Sequence, residues 1–130
     1  MNTLAILCVD DEAIQLLALK RELVRAFARR FVVETASDAE RALRLLASLE
    51  AEGASTFLLI TDWLMPGMKG DELIRQARSR YPGLRAIMIT GQADEEAKRR
   101  CLETEGVLGI FDKPWDRAAL LAMVESSADP

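Results

Sequence analysis

The chain has 130 residues, of which half are hydrophobic and 29% are charged. This length and composition are typical of one ordinary globular domain and exclude a disordered or fibrous protein. The net charge of −4 and the isoelectric point near 4.9 argue against a general affinity for nucleic acid or anionic membranes, so we expect no direct partner of either kind.

The chain contains no histidine and two cysteines. The lack of histidine excludes His-based catalytic triads, His-ligated zinc and any role as a phosphohistidine donor. Cys8 and Cys101 are far apart and fit no zinc-ligand or CxxC spacing, so we expect both to be reduced packing residues. The longest apolar stretch, LAILCV, is too short to cross a bilayer, and no basic segment leads into a signal-type apolar run. We therefore expect a cytoplasmic protein.

Short apolar runs alternate along the chain with segments of helical period. The runs are brief and rich in aliphatic or β-branched residues, which is typical of strands: LAILCV, FVVETA, FLLIT, LRAIMIT and VLGIF. Each run is followed by a predicted helix, the fourth over about residues 93–105 and the fifth over about residues 116–126. The alternation predicts a single α/β domain over residues 1–126, with a parallel five-stranded sheet covered on both faces, and a frayed tail at residues 127–130.

Polar side chains follow four of the predicted strands, at the edge where open parallel sheets bind ligands. They comprise carboxylates, a hydroxyl and an amine: Asp10, Asp11 and Glu12 after the first strand, Asp62 after the third, Thr90 with Gly91 after the fourth, and Asp112 with Lys113 after the fifth. Each alone could be a helix cap, a turn or a solvated charge. Together they predict one site, because the groups are complementary.

This combination indicates phosphoryl chemistry. Clustered carboxylates repel one another, and a hard divalent cation with oxygen ligands relieves the repulsion, which indicates Mg²⁺. A carboxylate can attack a phosphoryl group whose charge is neutralised, and Mg²⁺, the Lys113 ammonium and the Thr90 hydroxyl can neutralise it. On this reasoning Asp62 is the nucleophile.

Over essentially its whole length the chain resembles the receiver domain of two-component response regulators. The resemblance rests on an ordered set of motifs, namely VDDE after the first strand, TDWLMPGMKG after the third, TG after the fourth and DKPW after the fifth. It implies a doubly wound (βα)5 flavodoxin-like fold with strand order 2-1-3-4-5. It also implies a signalling domain that is not an enzyme, apart from catalysing its own phosphorylation and dephosphorylation.

The resemblance implies a role for each acidic residue of these motifs. Asp62 would be the phosphoacceptor and a metal ligand. Asp11 would bind Mg²⁺ directly, Asp10 would bind it through water, and the backbone carbonyl of Leu64 would be a further metal contact.

The same resemblance implies how the phosphoryl group is held and lost. Lys113 would hold a phosphoryl oxygen, Thr90 would supply its hydroxyl after phosphorylation, and Gly91 would line the phosphoryl site. Leu64 and Gln92 would flank the path of the hydrolytic water, and a leucine cannot orient that water as an amide or acid can. We expect slow to intermediate self-dephosphorylation, the alternative being that Leu64 only packs.

Three backbone features follow from these motifs. The resemblance implies a cis peptide between Lys113 and Pro114, which proline makes inexpensive. Pro66 and Gly67 predict a turn with positive φ at Gly67, and Gly70 allows the third helix to begin close to the site.

One position departs from the family pattern. Many receivers have Tyr or Phe three residues before the active-site lysine, and that ring turns inward when the hydroxyl moves to the phosphate. Here the residue is Ile110, and strand alternation places the neighbouring Phe111 on the other side of the sheet. We therefore expect weaker coupling between the two states, or coupling rerouted through Trp115.

The implied partners are a histidine kinase or phosphotransfer protein as donor, and a downstream protein or fused effector domain as target, with a phosphorylation-dependent dimer as a further form of output. Two alternatives stay open. The chain could be a pseudo-receiver that only binds partners. It could also be an aspartyl-phosphate hydrolase, although such enzymes place the nucleophile in a DxD motif after the first strand.

Overall fold

The computed structural model describes residues 3–91 and 93–128, and within them strands and helices alternate strictly. The elements are β1 Thr3–Val9, α1 Ala13–Phe27, β2 Val32–Ala36, α2 Ala39–Ala51, β3 Ala54–Asp62, α3 Gly70–Arg80, β4 Arg85–Thr90, α4 Glu95–Leu102, β5 Val107–Asp112 and α5 Arg117–Ala128. All neighbouring strands are parallel, in the order β2-β1-β3-β4-β5. The predicted α/β class and strand order are confirmed.

Helices cover both faces of the sheet. Successive residues of a central strand point to opposite faces, so each central strand contributes side chains to both cores. Leu59 of β3 packs in a core with residues of α2 and α3, whereas Leu58 and Ile60 pack in a second core with residues of α1 and α5. Both sides of β3 are therefore apolar, which explains the unbroken hydrophobic run in its sequence.

Two helices differ from their predicted bounds. The fourth begins at Glu95 because the Asp94 carboxylate accepts the backbone N–H of Ala97 at 2.8 Å, and it ends at Leu102, three residues before the predicted end near residue 105. The fifth continues to Ala128, so Ser127 and Ala128 are helical. The last two residues of the predicted tail lie outside the described residues, and the predicted domain boundary stays a prediction. No described helix combines the length and apolar character that a membrane span requires.

The register of the sheet brings the carboxyl ends of four strands together. Val9 of β1 pairs with Thr61 of β3, so the residues that follow them leave the sheet side by side. On the other side, Thr90 at the end of β4 pairs with Asp112 at the end of β5. The strand ends that the sequence predicted to meet therefore do so.

Candidate functional site

Three carboxylates form a cluster at this edge of the sheet. Asp10 and Asp62 are buried, Asp11 is exposed, and one oxygen from each lies within 4.8 Å of the others. Asp62 is the last residue of β3 and Asp10 follows β1, so the pairing of these two strands alone sets them together. The predicted grouping of these acids is confirmed, although their individual roles stay predictions.

The ammonium of Lys113 lies among these carboxylates. Its Nζ donates to Asp10 Oδ2 at 2.9 Å, to Glu12 Oε1 at 3.1 Å and to Asp62 Oδ2 at 3.3 Å. The backbone N–H of Lys113 donates to the carbonyl of Thr90 at 3.0 Å, which anchors the start of the β5–α5 connection to the end of β4. The Lys113–Pro114 peptide is cis, as the family resemblance implied.

Burial and neighbouring charges shift the pKa values of Asp62 and Lys113. For Asp62, burial raises the pKa, the Lys113 ammonium lowers it and Asp10 raises it again, with a net upward shift. For Lys113, burial would lower the pKa, but hydrogen bonds to Asp10 and Glu12 outweigh it and the net shift is upward. Lys113 therefore stays cationic at neutral pH and offsets part of the negative charge of the cluster.

The β3–α3 connection turns back tightly behind Asp62. Gly67 has a φ of 85°, which confirms the predicted positive-φ turn. The N–H of Gly70 donates to the carbonyl of Trp63 at 2.8 Å, and a Cβ at Gly70 would lie against the backbone oxygen of Asp62. Only glycine allows α3 to begin this close to the strand end, as the sequence predicted.

A cleft of about 340 Å³ opens over the cluster. It is lined by Asp11, Glu12, Asp62, Leu64, Gly91 and Lys113. Since a water molecule takes up about 30 Å³ in the liquid, the cleft has room for a phosphoryl group together with several waters. Thr90 lies buried at the end of β4, and Gln92, the other residue predicted to flank the water path, lies outside the described residues.

Ile110, the residue that departs from the family pattern, and its neighbour Phe111 point to opposite faces of the sheet, as predicted. Ile110 packs against the core beneath α2 and α3, whereas Phe111 packs against the core beneath α1 and α5. Trp115 lies on the same side as Phe111, and its Nε1 donates to Glu22 of α1 at 3.1 Å. Phe111 is thus on the wrong face to replace the aromatic residue of other receivers.

Two polar contacts at this edge were not predicted from the sequence. One joins Glu12 to Lys113 across 101 positions of the chain. The other joins Lys98 of α4 to Asp112 at 2.7 Å, and the pKa of Lys98 is raised by that hydrogen bond. The sequence places Glu12 and Asp112 near the ends of strands. Their pairing with distant lysines could not be predicted, because it depends on side-chain directions that only the fold defines.

The donor atoms of the cluster suit a hard divalent cation. Carboxylate oxygens come from Asp10, Asp11 and Asp62, and neither sulfur nor imidazole is present among them. Mg²⁺ prefers such all-oxygen sites and completes its shell with water and phosphate oxygens. The residues present therefore fit the metal that the family resemblance implies.

Comparison with known proteins identifies the family. The family model for the response regulator receiver domain matches residues 6–125, so the chain belongs to this family of two-component signalling domains. The response regulator RppA of Synechocystis is 31% identical over 93% of this chain, which spans 49% of RppA. The chemotaxis protein CheY1 of Helicobacter pylori is 30% identical over 92% of this chain and 93% of its own length.

A solved structure shows the same architecture. The signal receiver domain of an HD domain-containing protein from Pseudomonas fluorescens superposes with a TM-score of 0.83 at 27% identity, covering 97% of this chain and 94% of that one. The sequence-based assignment to the receiver family is thus confirmed. The chain spans only about half the length of RppA, so the activity and partners of a whole regulator are matters for proposal.

Proposed function

We propose that this chain is a phosphoacceptor domain in which Asp62 receives a phosphoryl group from a histidine kinase or a phosphotransfer protein. The observation that carries the proposal is the contact of 3.3 Å between Lys113 Nζ and Asp62 Oδ2 in a cleft lined by carboxylates. A carboxylate oxygen of Asp62 forms a bond to phosphorus while the bond from phosphorus to the donor imidazole nitrogen breaks. The electron pair of that bond stays with the imidazole.

The residues around Asp62 would hold the transferred group. The ammonium of Lys113, already in contact with the acceptor, would bind one phosphoryl oxygen. Thr90 would supply its hydroxyl from the end of β4, and Gly91 would let the group sit against the backbone. These roles have support from Lys113 and Gly91, which line the cleft, and from Thr90, which is buried at the end of β4 directly before Gly91.

Asp10, Asp11, Asp62 and the backbone carbonyl of Leu64 would hold Mg²⁺. When bound, the ion supplies positive charge to the phosphoryl oxygens and lowers the repulsion between them and the attacking carboxylate. Support for this assignment comes from the three clustered carboxylates and from the lack of softer ligands among them.

The lifetime of the phosphoryl group would be set by the cleft wall. Leu64 is 40% exposed and lines the cleft, where it offers no polar atom of its side chain to orient a water. Slow to intermediate self-dephosphorylation follows from this apolar wall.

The output would be a changed surface that a downstream protein, a fused effector domain or a second copy of the chain recognises. Ile110 exposes less surface on changing rotamer than an aromatic ring does, so the free-energy difference between the two surface states would be small. The chain itself would act as a switch rather than as an enzyme with a separate substrate.

The test is intact mass spectrometry after incubation with acetyl phosphate, with and without Mg²⁺. We expect one Mg²⁺-dependent phosphoryl adduct on the natural protein and none on Asp62→Asn. Asp112→Asn is the matched control, because Asp112 is 68% exposed and lies outside the cluster. It should keep the adduct.

Two results would overturn the proposal. A folded natural protein that binds Mg²⁺ and takes no phosphoryl group would instead be a pseudo-receiver. An adduct that persists in Asp62→Asn would place the acceptor elsewhere. Continuous release of inorganic phosphate from many equivalents of a phosphate ester would identify a hydrolase.

A further inference from the structure

The residue that precedes α1, Glu12, uses its side chain differently from the aspartates that precede α2, α4 and α5. Asp38, Asp94 and Asp116 each precede a helix, and each carboxylate accepts a backbone N–H of the first turn. Glu12 occupies the same position before α1 but makes no such capping hydrogen bond. Its carboxylate instead reaches Lys113 at 3.1 Å. The Glu12 side chain is therefore committed to the site rather than to the helix.

All three N–H donors of the Lys113 ammonium have carboxylate acceptors in this arrangement. An ammonium has three N–H bonds, and the Nζ of Lys113 contacts three carboxylates, those of Asp10, Glu12 and Asp62. A phosphoryl oxygen bound to Lys113 must therefore take the place of one of these three acceptors.

The three acceptors differ in how easily they can be displaced. The Asp10 side chain is 8% exposed, and its other oxygen accepts the backbone N–H of Glu12 at 2.9 Å. Asp62 is 7% exposed and carries the phosphoryl group itself. The Glu12 side chain is 61% exposed, so water can solvate it at once when it leaves the lysine.

We propose that Glu12 competes with the incoming phosphoryl group for the ammonium of Lys113 and so slows the phosphorylation of Asp62. The inference rests on the proposed function and adds a positioning residue to that site. Glu12 would act through Lys113, and it is not among the three carboxylates that would hold the metal. An ion pair with one exposed partner contributes about 0.2–1 kcal/mol, which corresponds to a rate effect of about 1.4-fold to 5-fold.

The experiment compares Glu12→Gln with the natural protein in phosphorylation by acetyl phosphate at saturating Mg²⁺ and low salt. We expect Glu12→Gln to react about 1.4-fold to 5-fold faster, because the neutral amide binds the ammonium less strongly. Glu52→Gln is the matched control. Glu52 is exposed at the end of α2, at the opposite edge of the sheet, and among the described residues it forms no ion pair. It should leave the rate unchanged.

Two further measurements separate this role from a structural one. The gain should disappear in about 1 M salt, where the screening length falls to about 3 Å. It should also disappear when Glu12→Gln is combined with Lys113→Gln, because the residue acts through that lysine.

Each contrary outcome has its own meaning. An unchanged or slower rate in Glu12→Gln, a gain that survives high salt, or a gain that survives without Lys113 overturns the inference while the natural protein still takes up phosphoryl groups. A natural protein that takes up none overturns the proposed function and this inference with it.

Discussion

Replacing Lys113 by glutamine tests whether its ammonium holds the carboxylate cluster together. The change leaves Asp10 and Asp62, whose side chains are 8% and 7% exposed, without this counter-charge. Removing one partner of a buried ion pair costs about 3–5 kcal/mol, and we expect the lower value, about 3 kcal/mol, because the cleft admits solvent. In a domain of this size that corresponds to a fall in Tm of roughly 10 °C.

The stability lost on replacing Lys113 should depend on pH, in a direction that the pKa shifts of Asp62 and Lys113 define. The pKa of Asp62 in the folded protein is raised above the unfolded value of 3.8, so its ionisation costs stability as pH rises through the folded pKa. In Lys113→Gln the pKa of Asp62 rises further, because the ammonium that lowers it is gone. The stability lost by this variant, relative to the natural protein, therefore grows from mild acid towards neutral pH. The pKa of Lys113 is itself raised above 10.5, so the natural protein keeps the stabilising ammonium below that value and loses it only as pH rises through the folded pKa.

Urea unfolding in mild acid and at neutral pH measures both effects. Lys20→Gln is the matched control, because Lys20 lies on α1 and forms no ion pair among the described residues; its stability should stay close to that of the natural protein. Mg²⁺ should narrow the deficit of Lys113→Gln, since the cation supplies the missing counter-charge. Equal stability of Lys113→Gln and the natural protein at neutral pH, or a deficit of the same size at both pH values, would refute the reasoning.

Three further predictions concern packing, ionisation and capping. Gly70→Ala places a methyl group against the carbonyl oxygen at the end of β3, and it should lower the free energy of unfolding in urea by about 1–3 kcal/mol. In Gly83→Ala the added methyl meets no atom within 4 Å, so this control should be neutral, and a similar loss in both variants would contradict the steric argument. Burial raises the pKa of the Cys8 thiol to about 12, so a thiol reagent near pH 8 should modify Cys8 only after unfolding, as located by mass spectrometry. Because this pKa exceeds the unfolded value of 9.0, the contribution of Cys8 to stability should fall as pH rises above about 9, and rapid labelling of the native protein would contradict its burial. Asp38→Ala removes a carboxylate that accepts a backbone N–H of α2 and should cost about 1 kcal/mol in urea, whereas Asp38→Asn keeps an accepting oxygen and should lose less.

The sequence predicted the sheet well because its central strands are buried on both faces and therefore read as unbroken apolar runs. The apolar stretch beginning at Phe57 marked β3, but the strand starts three residues earlier, at Ala54. Ala54 and Ser55 pair with Thr3 and Leu4 of β1, where the strand leaves the core and polar residues are tolerated. Hydrophobic pattern locates the buried part of a strand, whereas backbone pairing decides where it begins.

The carboxylate cluster could be predicted for a related reason. Parallel strands all end at the same edge, so acids that follow β1 and β3 must meet wherever those strands are neighbours. The contact between Glu12 and Lys113 could not be predicted this way. It depends on the glutamate turning away from the start of α1 and towards β5, a choice among side-chain rotamers that leaves no periodic signal in the sequence.

Two polar neighbours of Lys113 connect the site to surrounding helices. Asp112, the residue before it, pairs with Thr90 in the sheet and accepts a hydrogen bond from Lys98 of α4 at 2.7 Å. Trp115, two residues after it, donates to Glu22 of α1. A shift of Thr90 and Lys113 towards a phosphoryl group would therefore pull on α4 and on α1 at the same time. Because Ile110 offers little surface to a rotamer change, these two hydrogen-bonded contacts would transmit a larger share of the response than in a receiver with an aromatic residue at that position.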